Sequence, residues 1–74
     1  MSSKDKFIKK IENNPKNVSI EEITKLLSWY GYEVVSITGS HHKFSNGVDS
    51  IVVPYKKPVR EVYVKQILKK IKDL

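Results

Sequence analysis

The feature that most constrains this sequence is a change of hydrophobic period at Gly31-Tyr32. Upstream, Ile20, Ile23, Leu26, Leu27 and Tyr30 recur at the spacing of one helix face. Downstream, Tyr32 to Thr38 is β-rich with a period near two and reads as a strand. Helix and sheet must therefore share one small core, because the chain has only 74 residues. At that length about 60–65% of the unfolded surface is buried on folding, which excludes a large enclosed cofactor site or a two-domain cleft. The absence of cysteine removes disulfides and thiolate zinc sites, and points to a reducing cytosol or a docked state as the working environment.

The remaining elements follow from local signals. Phe7, Ile8 and Ile11 between lysines predict an amphipathic helix over 4–13, broken by Asn13-Asn14-Pro15. Ser19 and Glu22 form a capping-box pattern that starts the next helix, and Gly31 stands where a left-handed C-terminal residue is wanted. Gly39-Ser40 predicts a tight turn into a second strand, His41 to Ser45. Asn46-Gly47 predicts a type I′ hairpin turn, with a third strand from about Asp49 to Val53. Pro54 to Pro58 reads as an ordered loop and Val62 to Asp73 as the last helix. There Val64, Ile67, Leu68, Ile71 and Leu74 form a stripe, with Lys65, Lys69, Lys70 and Lys72 facing away. The expected architecture is a two-layer α+β domain whose second sheet face is open.

Charge narrows the partners. The net charge is +6. Residues 1–38 hold six lysines against five acids, whereas residues 39–74 hold seven lysines and Arg60 against Asp49, Glu61 and Asp73. A basic C-terminal half suits a polyanion, whether nucleic acid or acidic protein. A membrane is a poor fit: the longest aliphatic run, Ile51-Val52-Val53, stops at Pro54, and Lys4, Lys6, Lys9 and Lys10 interrupt any signal-peptide core.

Both histidines of the chain, His41 and His42, stand together in Gly39-Ser40-His41-His42-Lys43-Phe44. Successive strand side chains point to opposite faces. With Phe44 inward, His42 shares the core side and His41 the open side with Lys43. An exposed imidazole beside an ammonium group suits phosphodiester chemistry, the one exchanging protons near neutral pH and the other stabilising developing charge. Equally, two histidines at a strand edge serve as ordinary polar surface. Metal binding is the poorer use, since adjacent strand histidines diverge and a hydrolytic zinc site needs three ligands. The run Lys56, Lys57, Arg60, Lys65, Lys69, Lys70 and Lys72 reads either as a phosphate-contacting footprint or as a solvated surface. Tyr55, among the first of these, either stacks on a base or packs on the last helix.

The Gly39-to-Phe44 segment resembles the signature of the HicA family of mRNA interferase toxins. Ile23 to Val35 is similar to that family's helix, glycine and first strand. Val53-Pro54 and Pro58 to Leu68 resemble its remainder, so the likeness spans about residues 18–72. It implies one domain over 1–74, with 1–17 a helical extension and 18–74 an α-β-β-β-α core like the double-stranded-RNA-binding domain. It also implies a toxin that cleaves messenger RNA and arrests growth in a prokaryotic cytoplasm, with no cofactor. The implied partner is a HicB-like antitoxin, acidic and carrying a DNA-binding domain, which covers the active face. DNA is then reached only through that partner.

By this resemblance the histidine after Gly-Ser, His41, is catalytic, with His42 as the fallback. Tyr55 stands where some members carry another histidine. The implied reaction is metal-independent, with His41 as general base, Lys43 on the scissile phosphate, and Gly39 and Ser40 offering donors. Tyr55, Lys56, Lys57 and Arg60 would complete the substrate surface. A non-catalytic RNA-binding module on the same fold and a plain protein-interaction domain are the competing readings.

Overall fold

The ends of the first two helices have local causes in a computed structural model that describes residues 3–73. Helix α1, Ser3–Asn13, stops just before Pro15, and α2, Ile20–Ser28, begins on a complete capping box. There the Glu22 backbone N–H donates to Ser19 Oγ at 3.2 Å, and the Ser19 N–H donates to the Glu22 carboxylate at 3.1 Å. The helix ends with Gly31 at φ +85°, its N–H reaching the Ser28 carbonyl and that of Tyr32 the Leu27 carbonyl. These are the paired bonds of a Schellman ending, which satisfies carbonyls that the helix itself leaves open.

Three strands follow, β1 (Glu33–Thr38), β2 (His41–Ser45) and β3 (Ser50–Pro54), and then helix α3 (Glu61–Lys72). The strands form an antiparallel meander in the order β1-β2-β3. The order α-α-β-β-β-α is that of a double-stranded-RNA-binding-like fold preceded by one helix, as the sequence predicts. The predicted apolar residue Leu74 lies outside the described residues.

Turn chemistry differs from expectation at Asn46-Gly47. Ser45 pairs with Ser50, so residues 46–49 form a longer loop, and among the described residues none other than glycine has positive φ, which excludes the type I′ turn. The cause is the Asn46 side chain, whose Oδ1 accepts from the N–H groups of Val48 (2.9 Å) and Asp49 (2.7 Å). A local side-chain acceptor thus shapes the loop beside the one backbone bond, from the Asn46 N–H to the Asp49 carbonyl, and β3 begins one residue later than predicted. The two-residue hairpin is instead Gly39-Ser40, between paired Thr38 and His41. Positive φ at Gly39 alone, +59°, matches the II′ pattern.

The core joins all layers. Ile11 of α1, Ile23, Leu26 and Leu27 of α2, Phe44 and Val53 of the sheet, and Val64 and Ile67 of α3 are buried, with Tyr32 sealed just before β1. Strand β1 itself buries nothing: all six residues are exposed, and a bulge lies between Val34 and Ser36. Helix α1 is bound in rather than appended. Phe7 meets Trp29 edge to face at 5.2 Å, and Glu12 accepts from Lys72 at 3.0 Å. Among the described residues no helix is long and apolar enough to cross a membrane.

Glu22 ties the capping box to α1 through Lys10 at 3.5 Å. Burial pushes its carboxyl up, but the bonds from Ser19 and the charge of Lys10 together outweigh burial and hold it below the ordinary glutamate value. A lowered carboxyl contributes stability that is present above its unfolded value and lost as pH falls through the folded one. Denaturant titrations of Glu22→Gln should therefore show a flatter stability profile through the carboxylate range than wild type, with the two converging at the acid end. Parallel profiles would remove Glu22 from this role.

Candidate functional site

The middle strand positions the site. Phe44 is 0% exposed, so the alternation of β2 sends His42 to the helix side and His41 and Lys43 to the open side. His41 lies between Thr38 of β1 and Pro54 of β3, and Lys43 between Ser36 and Val52. His41 and Lys43 are both exposed and stand about 7 Å apart along the strand. This is the division that strand parity predicts.

His42 is half-buried, lies across from Ile37 and Val53, and stacks on Tyr55 with ring centroids 5.6 Å apart at 28°. Its Nδ1 is buried without a hydrogen-bond partner among the described residues. The ring is held by its stacking on Tyr55 rather than by a hydrogen bond at Nδ1. His42 is thus built into the wall, and His41 stands clear of it.

The Gly39-Ser40 turn closes the end of the sheet beside His41. The Ser40 carbonyl accepts from the Tyr55 N–H, which continues the β2–β3 ladder one step beyond the strands. The backbones of Gly39, Ser40, His41 and Tyr55 therefore meet at one corner, with Lys43 one step along the open face and the Tyr55 ring turned to His42 on the helix side. Tyr55 remains 44% exposed and does not pack on the last helix as an interior residue.

The rest of the predicted basic run separates. After Tyr55 the loop is held again where the Val59 N–H meets the Val18 carbonyl at 2.8 Å. That bond carries Lys57 away to a shallow depression shared with Lys10, Asn17, Ser19, Glu22 and Pro58. Lys56 and Arg60 are exposed on the same connection, with Arg60 just before α3. Lys10 is the cation that sequence reasoning missed: nothing local to α1 reveals that it will share a depression with Lys57.

Lys70 departs from its predicted outward role. It is ion-paired with Asp49, which also accepts from the Tyr32 hydroxyl at 3.4 Å. The Asp49 bond holds the Lys70 ammonium above its ordinary value. The Asp49 carboxyl is held below its own, by Lys70 first and by the Ser50 N–H. Burial, helped by the Asp49 charge, pushes the Tyr32 phenol up. Lys65 and Lys72 are also engaged, with Glu61 and Glu12, each at 3.0 Å.

Chemically, the open side of the corner offers one accessible imidazole and one ammonium group, with the part-exposed Tyr55 ring beside His42 across the sheet. Among the described residues no group of three or more histidine, cysteine, aspartate or glutamate side chains is placed to hold a metal ion.

A family model described as the HicA toxin of bacterial toxin-antitoxin systems matches residues 20–72. No curated protein and no solved structure matches the chain. The matched span contains the whole gathered corner and leaves α1 outside.

The division between the two imidazoles is measurable by their accessibility. Diethyl pyrocarbonate should modify His41 several times faster than His42, read by mass spectrometry, with His41→Ala and His42→Ala variants separating the two adducts. Equal rates would mean that the strand does not hold the two rings on opposite faces.

Proposed function

This chain belongs to the HicA family of bacterial toxin-antitoxin toxins, and from that premise we propose that it is an endoribonuclease that cleaves messenger RNA. The observation that carries this reading is the exposed His41 imidazole on the open sheet face, with Lys43 on the same side.

In the proposed reaction His41 removes the proton of a ribose 2′-hydroxyl. The 2′-oxygen attacks the adjacent phosphorus, the bond to the 5′-oxygen breaks, and that oxygen takes its proton from water. The products are a 2′,3′-cyclic phosphate and a 5′-hydroxyl end. Lys43 stabilises the charge that builds on the phosphoryl oxygens, and the Gly39 and Ser40 donors help to hold the phosphate. Tyr55 stacks on a neighbouring base, with its ring orientation supported by His42. Lys56 and Arg60 provide sequence-independent phosphate contacts along the loop, while Lys57 is directed to the depression beside Lys10. A single imidazole makes only one of the two proton transfers efficient, so turnover is modest. Catalysis of this kind works without a metal cofactor and takes place where messenger RNA is translated, in a prokaryotic cytoplasm.

Toxin-antitoxin membership implies an antitoxin partner. We take it to be HicB-like and acidic, covering the His41 face and linking the pair to DNA through its own binding domain.

Purified protein incubated with RNA in chelator should yield fragments bearing 5′-hydroxyl ends. His41→Ala should reduce that rate by about 10²–10⁴-fold, the usual worth of one positioned acid or base, with melting temperature and antitoxin binding unchanged. Cleavage by the variant at the wild-type rate would remove His41 from the mechanism. Intact but bound RNA with the wild-type protein would instead make the domain a non-catalytic binding module.

A further inference from the structure

The meander ends in two strand edges that differ in their capacity to pair. The β1 edge is interrupted by the bulge between Val34 and Ser36, a feature that blunts an exposed strand. The β3 strand pairs with β2 in unbroken register from Ser50 to Pro54. Its free side faces a groove with Ser50, Ile51 and Val52 on one wall and Gln66, Ile67 and Lys70 of α3 on the other.

Backbone parity shows what that side offers. The Asn46 N–H reaches the Asp49 carbonyl at one end of the β2–β3 ladder, and the Tyr55 N–H reaches the Ser40 carbonyl at the other. Antiparallel alternation then makes Phe44–Ile51 and His42–Val53 the bonded pairs between these ends. The backbone groups of Ser50, Val52 and Pro54 consequently point away from β2. Pro54 has no N–H, and that of Ser50 is taken by the Asp49 carboxylate at 2.9 Å. Val52, 47% exposed, is left in mid-strand with N–H and C=O both directed into the groove.

We propose that this edge seats an extended segment of an acidic partner protein, which adds to the sheet as a fourth strand centred on Val52. The proposal rests on the preceding reading only in taking the antitoxin as that partner. Strand addition draws its affinity from main-chain bonds, which a nucleic acid backbone has no groups to form. A second copy of this chain would bring another +6 charge to the basic half that holds the groove. An acidic polypeptide meets both requirements. It would place an apolar side chain against Ile51 and Ile67. Because Val52 lies directly across from Lys43, a strand seated there brings the partner alongside the His41 face without first having to fill it.

The test uses the full chain and the purified antitoxin encoded beside it. Val52→Pro removes the outward N–H and no β2–β3 bond, whereas Val52→Ala changes only the side chain. Val52→Pro should weaken the complex about tenfold or more, the scale of losing a bond and stranding its partner, and Val52→Ala should stay near wild type. RNA cleavage by both variants should be unchanged. Exchange of the Val52 amide should slow when antitoxin binds and not when an RNA oligonucleotide or more of the same chain is added. Wild-type affinity in Val52→Pro, or an amide whose exchange is unchanged in the complex, overturns the proposal. If Val52→Pro fails to fold, the amide measurement on the wild-type protein decides alone. Failure of the ribonuclease reading would appear separately, as wild-type protein that leaves RNA intact.

Discussion

The arrangement of this molecule depends on the burial of one ring. Phe44 is fully enclosed by the helices, and because strand side chains alternate, its position dictates the side on which each neighbour lies. A shift of one residue would expose Phe44 and drive the Lys43 ammonium into the core, at a cost of several kcal/mol from the lost aromatic burial alone. The accessible imidazole is thus held in place by hydrophobic packing on the opposite face, and no polar contact of its own is needed to orient the strand.

A small basic domain must also contain its own repulsion. It does so by spending its few acids at structural joints. Glu12 meets Lys72 between the first and last helices, Glu22 meets Lys10 between α1 and α2, and Asp49 joins Lys70, Tyr32 and the start of β3. Such pairs are individually weak where exposed. Their placement matters more than their strength, because each one removes a lysine from the pool able to bind a polyanion. Lys43, Lys56 and Lys57 make no intramolecular ion pair among the described residues, and two of these three lie on the face or loop that serves the His41 corner.

Legibility in the sequence followed the range of the interaction concerned. Helix α2 was readable at both ends because Ser19, Glu22 and Gly31 carry their chemistry within a few residues. The opposed histidines were readable because Phe44 announces which side is inside. Asn46-Gly47 misled because the Asn46 side chain, accepting from Val48 and Asp49, shapes the loop alongside its backbone bond to Asp49. Strand β1 showed its β character and not its bulge, which costs little on an edge where both faces are wet. The division of the basic run was invisible, since it depends on a bond between Val59 and Val18 that no local pattern encodes. The capture of Lys70 by Asp49 was hidden for the same reason.

The contact between Glu12 and Lys72 spans 60 positions, and α3 supplies Val64, Ile67, Leu68 and Ile71 to the interior. Until that last helix is present, Phe44 and Val53 lack a large part of the core that covers them. Closure of the interior therefore waits on α3, the last element in chain order, and long-range closure is the slow part of such topologies.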